Sequence, residues 1–265
     1  MKRRTFVTTS AAAGLYAQTP AQMPAQTPAA KPANSFYHLL YFYMRAGTQV
    51  ERTTEYLRGV FLPAAGRAGL APVGFFSPVV GERSPFILSL ASYPSWAAME
   101  TIHNKFAEDK EFQKGFDGYN NIQDPPYIRM ESSLLWAFDG MPSLAVPADD
   151  GKRPARIFEM RTYESVNEKA SARKIKMFED GEMGIFRRLG MAPVFFGRTI
   201  MGSNLPSLTY MLTFDDLAAR DQLWRNFGAD PEWRKLRAQP GLSDAEIVSN
   251  ITNAILRPLP FSPIR

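Results

Sequence analysis

An α+β fold of two tandem ferredoxin-like units is predicted by an internal repeat and by the shared order of elements in its two copies. Residues 36–114 and 156–235 align without a gap under a constant shift of about 121 residues, which indicates a duplicated module. The identities under this shift are spread along the whole stretch and include Arg67 with Arg188, Gly69 with Gly190, Phe75 with Phe196, Pro85 with Pro206, Phe106 with Phe227, Asp109 with Asp230 and Lys114 with Lys235.

Each copy opens with a strand and a helix. Residues 36–44 and 156–163 are short, apolar and rich in aromatic residues, a composition typical of strands. The helix that follows is predicted to begin with a capping box, formed by Thr48 with Glu51 in the first copy and by Ser165 with Glu168 in the second. Gly69 and Gly190 then stand where a left-handed residue would end the helix.

A hairpin, a second helix and a last strand complete each copy. The hairpin strands are predicted at residues 71–76 and 86–91, and at 192–197 and 208–214; the second helices begin near Ser95 and Asp215; the last strands are residues 127–136 and 247–256. The order βαββαβ is that of the ferredoxin-like unit. Residues 35–140 and 155–265 are therefore predicted to be the two domains, with residues 141–154 as the linker between them.

The two sheets are predicted to pack face to face. A four-stranded sheet with two helices on one face leaves its other face bare, and a large apolar face is costly in water. Two copies in one chain can cover each other, with the helices outside. We therefore expect an intramolecular α/β barrel made of two antiparallel sheets.

The first 34 residues are interpreted as a targeting signal followed by a tether. Residues 1–17 combine Lys2-Arg3-Arg4 with a short apolar stretch, a pattern typical of a twin-arginine-like signal peptide. This predicts export to the periplasm or the extracellular space; an ordinary basic terminus is the alternative. Residues 18–34 are almost wholly Ala, Pro, Gln and Thr, which predicts a disordered linker.

Composition excludes several classes of site. The chain has no cysteine, which rules out disulfides, thiolate metal sites and a cysteine nucleophile. Without residues 1–34 the formal charge falls from +5 to about +1, so no nucleic-acid partner is expected. No segment has the roughly 20 apolar residues of a membrane span. We expect a small-molecule ligand and leave a homo-oligomer open.

The second unit resembles a NIPSNAP domain. Residues 157–163, Ile-Phe-Glu-Met-Arg-Thr-Tyr, are similar to the opening strand of that family with its Glu-x-Arg-Thr-Tyr core. Residues 214–217 and 230–233, together with Arg220 and Trp224, resemble its later helix and its Asp-Pro-x-Trp segment. The first unit resembles a diverged copy, with His38 for Glu159, Leu40 for Arg161, Phe42 for Tyr163, His103 for Trp224 and Phe112 for Trp233.

The resemblance implies a fold and a cavity more than it implies a reaction. NIPSNAP domains belong to the dimeric α/β-barrel superfamily, which also holds small cofactor-free monooxygenases and haem enzymes. The family's own molecular activity is undefined. Whether this chain is an enzyme is therefore left open.

Alternation along the strands predicts the candidate site. Side chains at every second position share a face, so Glu159, Arg161 and Tyr163 are expected to face the opposing sheet, with His38 in the equivalent place of the first unit. An imidazole can move a proton and a guanidinium can hold an anionic oxygen. The candidate catalytic residues are His38, Glu159 and Arg161, and the candidate ligand-binding residues are Tyr37, Tyr163 and Trp224.

Structural roles compete with these functional ones. Glu159 and Arg161 could simply pair with each other to satisfy buried charge. Tyr37, Tyr163 and Trp224 could be packing residues. His103 lies on an apolar helical stripe, which predicts that it faces the core.

No cofactor or metal is expected. The sequence lacks recognisable zinc, calcium and phosphate-loop motifs, and no serine stands in a recognisable nucleophile elbow. A haem iron would need His38 or His103 as its ligand unless a Tyr or Met served, and we do not expect one.

Two functions are consistent with the sequence. The first is an exported protein that binds a small, partly apolar molecule between its sheets, with monooxygenase-like or isomerase-like proton chemistry. The alternative is a non-catalytic scaffold or interaction protein whose barrel is solid core.

Overall fold

Eight antiparallel strands form the frame of the molecule. The computed structural model describes residues 33–120, 123–148 and 154–265. The strands are β1 (Phe36–Tyr43), β2 (Val73–Val80), β3 (Phe86–Tyr93), β4 (Arg129–Ala137), β5 (Ile157–Glu164), β6 (Ala192–Met201), β7 (Ser207–Phe214) and β8 (Asn250–Pro258). The predicted signal peptide and nearly all of the predicted tether lie outside the described residues.

The strands close into a barrel in the order β1-β3-β2-β8-β5-β7-β6-β4. Within it, β4-β1-β3-β2 and β8-β5-β7-β6 repeat one arrangement, that of the ferredoxin-like unit. The predicted α+β barrel is confirmed. The two sheets are also joined along their edges, because β2 pairs with β8 and β4 pairs with β6. No sheet edge of the barrel is therefore left open.

Nine helices are described in residues 33–120, 123–148 and 154–265. They are α1 (Thr48–Tyr56), α2 (Leu62–Ala68), α3 (Trp96–Glu108), α4 (Lys110–Tyr119), α5 (Glu168–Met177), α6 (Met183–Arg188), α7 (Leu217–Ala229), α8 (Pro231–Arg237) and α9 (Asp244–Ile247). A π-helical turn joins α1 to α2 at Leu57–Phe61, and another joins α5 to α6 at Phe178–Glu182. Their positions differ by the repeat shift, which indicates that both turns come from the duplicated module. No described helix has the length and apolarity to cross a membrane.

Both predicted capping boxes are wrong. Gly47 precedes α1 and makes no side-chain cap. Asn167 caps α5, since its side chain accepts a hydrogen bond of 2.9 Å from the amide of Ala170. The amide of Ser165 instead donates to the carbonyl of Pro206, which holds this residue at the strand end. The predicted left-handed glycines are confirmed, with φ of +85° at Gly69 and +82° at Gly190.

The barrel interior is an apolar core over most of its length. Its buried side chains come from both halves and include Leu88, Leu90, Leu135, Phe158, Phe195 and Met211. The segment after β8 closes one end, where Ile264 is fully buried in this core. Ser262 anchors that segment by accepting a hydrogen bond of 2.9 Å from the amide of Phe75. The predicted contact between the sheets is thus a packed one.

Candidate functional site

The polar face of β5 points towards the helices and not into the barrel. Glu159 contacts Arg220 and Trp224 of α7, while Phe158 and Met160 lie in the barrel core. The prediction that Glu159, Arg161 and Tyr163 face the opposing sheet is therefore wrong. The physical reason is that the barrel core around Phe158 and Met160 is apolar, whereas α7 supplies hydrogen-bond donors to Glu159.

Glu159 is a fully buried carboxylate that four side chains satisfy. Arg220 donates to both oxygens, from Nε to Oε2 at 2.7 Å and from Nη2 to Oε1 at 2.8 Å. Arg161 Nη1, Trp224 Nε1 and Asn253 Nδ2 donate to it at 3.0, 2.7 and 2.8 Å. Pairing of Glu159 with Arg161, the structural alternative, is thus present.

This network keeps Glu159 ionised. Burial by itself raises the pKa of a carboxyl, but the hydrogen bonds from Arg220 and Trp224 and the positive charge of Arg161 outweigh it, so the pKa of Glu159 is lowered. A carboxylate with a lowered pKa and occupied lone pairs is a poor general base. The geometry therefore favours a structural role for Glu159.

The rest of the space between the second sheet and its helices is also filled. Arg161 Nε donates to the Tyr163 hydroxyl at 3.3 Å, and that hydroxyl lies 3.1 Å from the hydroxyl of Tyr210. Lys174 and Glu182 are 1% and 2% exposed and lie 3.4 Å apart. Burial raises the pKa of Glu182 to about 6, against the opposing attraction of Lys174. Every one of these groups is engaged by another member of the cluster.

The first half has an open cavity in the equivalent place. It measures about 280 Å³ and lies between the first sheet and α1, α3 and α4. Its lining is mostly aromatic, with a few polar side chains among the rings, including His38, Ser89 and His103. Of the six predicted site residues, His38 alone lines this cavity, and it too faces the helices and not the opposing sheet.

His38 is held in place by a serine. Its Nε2 atom lies 2.8 Å from the hydroxyl of Ser132 on β4, the position equivalent to Asn253 beside Glu159. The pKa of His38 is lowered by burial and, to a smaller degree, by the nearby His103. A lowered pKa keeps the imidazole neutral at neutral pH, and a neutral imidazole can accept a proton.

His103 lies at the edge of the same cavity. It is exposed, so the prediction that it faces the core is wrong. Its Nδ1 atom is 2.8 Å from the carbonyl oxygen of Met99. Because a carbonyl only accepts, Nδ1 is the donor in this contact.

Smaller side chains stand in or beside the cavity at four positions, of which Leu40, Ser89 and His103 line it and Ala65 lies in the adjoining core. Under the repeat shift, the first half has Leu40 for Arg161, Ala65 for Phe186, Ser89 for Tyr210 and His103 for Trp224. In the second half the four larger residues contact one another. Phe186 packs against Tyr210 and Trp224, and Arg161 lies over the Trp224 ring. The exchanges at 65 and 89 were missed by sequence reasoning, although aligning the two copies position by position could have found them.

The remaining predicted residues lie elsewhere. Tyr37 is fully buried inside the barrel, beside Phe195, and its hydroxyl has no hydrogen-bond partner in the described part of the chain. Tyr163 and Trp224 belong to the filled cluster of the second half. The structure thus brings Glu159, Arg161, Tyr163 and Trp224 together, and places His38 and Tyr37 away from them.

Comparisons with known proteins agree with this architecture. Residues 158–263 match the NIPSNAP family model, while a comparison with curated proteins gave no match. A crystal structure of a "putative monooxygenase" from Lactobacillus acidophilus has a TM-score of 0.57 and 9% identity, with 84% of this chain and 93% of that chain covered. An anthrone oxidase-like protein has a TM-score of 0.52 and 9% identity, with 85% and 92% covered.

A NIPSNAP-like domain protein from Burkholderia xenovorans is 24% identical, with a TM-score of 0.37, and the match covers 41% of this chain and 90% of that one. The fold agrees with the two longer structural matches, and the likeness to the NIPSNAP family rests on the sequence match to residues 158–263. The second half of the chain is therefore similar to a NIPSNAP domain, and it forms one closed α/β barrel with a first half that has the same order of strands.

Proposed function

We propose that the protein binds a small, largely apolar aromatic molecule in the cavity between the first sheet and its helices. The observation that carries this proposal is the contrast between the halves, one open at about 280 Å³ and the other filled. A lining of aromatic rings with a few polar groups is typical of small-molecule sites. The ligand expected between the two sheets is thus reassigned to one side of the first sheet.

His38 is the residue we propose to move a proton. The Ser132 hydroxyl can donate to or accept from Nε2, so it supports either tautomer of the ring. One nitrogen can therefore take a proton from an acidic C–H or O–H of the ligand while the other keeps its hydrogen bond. Such proton abstraction is a step shared by isomerases and by cofactor-free oxygenases. The two structural neighbours with oxygenase-type names are compatible with this chemistry.

Filling the cavity tests the proposal. Ser89→Tyr gives the first half the side chain that Tyr210 provides in the second, and we expect it to weaken binding of 2-naphthol, followed by its fluorescence, by at least about tenfold. His38→Gln should leave 2-naphthol bound but abolish the shift of its fluorescence towards the deprotonated form. Thr101→Tyr, on the exposed side of α3, is the matched control. Binding to Ser89→Tyr as tight as to the wild type would refute the site.

A non-catalytic scaffold is the second candidate, and the packed barrel core favours it. In that case the first-half cavity would be a packing defect without a ligand. Native mass spectrometry of the protein purified from its source distinguishes the two functions. A retained small molecule that the Ser89→Tyr variant lacks supports the binding protein, whereas a bare polypeptide mass supports the scaffold.

We also propose that residues 1–17 direct export. The support is the run Lys2-Arg3-Arg4 ahead of a short apolar stretch. Replacing Arg3 and Arg4 together by lysine is expected to keep the protein in the cytoplasm and to leave residues 1–17 attached. Cell fractionation with an intact-mass measurement checks this, and an unchanged distribution of the double variant would exclude a twin-arginine route.

A further inference from the structure

A second cavity lies inside one end of the barrel, on the opposite face of β1 from the first. It measures about 160 Å³ and opens to solvent between the exposed Glu82, Arg83 and Asn204. Tyr41 lines it, while the flanking Leu40 and Phe42 line the first cavity. The two cavities are therefore separated by the thickness of one sheet.

One wall of this barrel-end cavity is aromatic. Tyr41 and Tyr43 are nearly parallel, with ring centroids 5.8 Å apart, and Phe86 meets their edges at 5.4 and 5.8 Å. All three residues come from the first half of the chain. Such a wall offers a flat apolar surface to one face of a ligand.

The opposite wall consists of hydroxyl groups from the second half. Thr162 and Thr209 lie 2.8 Å apart, and Ser207 donates to Thr199 at 2.9 Å. In each of these two pairs, the hydroxyl groups form a hydrogen bond with each other.

Three further hydroxyls line the same space. Those of Tyr41, Ser133 and Thr252 make no hydrogen bond to any described residue. Each can both donate and accept. A ligand that fills the cavity can therefore satisfy three groups that the protein leaves open.

The charges at the mouth are already balanced. Glu131 accepts from Arg83 at 2.6 Å and from Arg129 at 3.0 Å. Both guanidinium groups also lie over the Tyr43 ring, at 4.7 and 5.1 Å. Glu82 adds a second carboxylate near Arg83, so two positive groups and two negative groups lie at the mouth. A charged ligand would have to break these pairs, whereas a neutral one would not.

We propose that this barrel-end cavity binds a small, uncharged, polyhydroxylated molecule of the size of a monosaccharide or a cyclitol. Its C–H face packs on Tyr41 and Phe86, and its hydroxyls pair with those of Tyr41, Ser133 and Thr252. Binding here is independent of the aromatic ligand proposed for the first cavity, because no residue lines both.

Titration with D-glucose, D-galactose and myo-inositol tests the proposal, followed by saturation-transfer NMR and calorimetry on the whole protein. We expect at least one of the three to bind with a dissociation constant in the millimolar range, on the order of 1 mM. Tyr41→Phe and Thr252→Val should each weaken it roughly fivefold, the value of one neutral hydrogen bond. Both variants remove a group without a protein partner, so their unfolding temperatures should match the wild type.

Ser89→Ala, in the first cavity, is the matched control and should bind the same polyol as the wild type does. The proposal is overturned if none of the three probes binds at about 50 mM, or if binding is unchanged in both variants. A loss of polyol binding in Ser89→Ala alone would also overturn it, since the polyol would then occupy the first cavity.

Discussion

Glu159→Gln is expected to lower the free energy of unfolding by about 3–5 kcal/mol at pH 7, the usual cost of breaking a buried ion pair on one side. The substitution keeps the shape of the side chain but leaves Arg161 and Arg220 facing an uncharged amide. Urea denaturation measures the loss. His38→Gln is the matched control, because His38 holds the equivalent position with one serine partner, and its loss should be about 1 kcal/mol. Equal losses in the two variants would contradict the structural role of Glu159.

The same substitution has a defined pH dependence. The pKa of Glu159 in the folded state lies below the value of 4.5 expected in the unfolded chain. The stabilisation from the carboxylate is therefore fully present above pH 4.5 and is lost as the pH falls towards the folded-state pKa. The gap in stability between wild type and Glu159→Gln should shrink on acidification below that pH. A gap that stays constant would show that Glu159 is not ionised in the folded protein.

Phe186→Ala is expected to cost about 3–5 kcal/mol, the usual loss for removing a buried phenylalanine. Phe186 is fully buried, and its ring centroid lies 4.9 Å from that of Phe227 and 5.8 Å from that of Trp224. The variant places in the second half the alanine that the first half has at position 65. Urea denaturation gives the loss of stability, and benzene added to the variant should restore part of it by filling the new space.

Phe116→Ala on α4 is the control for this prediction. Its side chain is 41% exposed, so the substitution should cost less than about 1 kcal/mol. A small loss in Phe186→Ala, close to that of the control, would mean that the second half can collapse around the missing ring. The four exchanged side chains would then not suffice to explain why the first half has a cavity and the second half is filled.

The fold could be predicted from the sequence because the repeat supplied each element twice. The order of strands and the left-handed glycines followed from it. The faces of the strands did not, because both faces of a closed barrel strand are buried, and alternation separates two faces without saying which is inside. Sequence reasoning places the polar face of β5 in the interior, because the partners of Glu159 on α7 are visible only in the tertiary structure.

The candidate site was only partly predictable, for a different reason. The equivalence of His38 to Glu159 identifies His38, but the cavity beside it depends on side chains that are smaller than their counterparts in the second half. Small residues such as Ala65 and Ser89 carry no motif, and they become informative only when set against Phe186 and Tyr210. The barrel-end cavity likewise depends on hydroxyls from separate strands that meet only when the barrel closes.

The barrel closes through β8, the last of its eight strands in chain order, and this affects folding during synthesis on the ribosome. β8 pairs with β2 of the first half as well as with β5. The barrel therefore cannot close before residues 250–258 have been synthesised. Until then a folded first half exposes two strand edges and the apolar face that will become the barrel core, and such edges favour aggregation. A stop codon ahead of residue 250 would therefore leave an open sheet with exposed strand edges rather than a slightly shortened barrel.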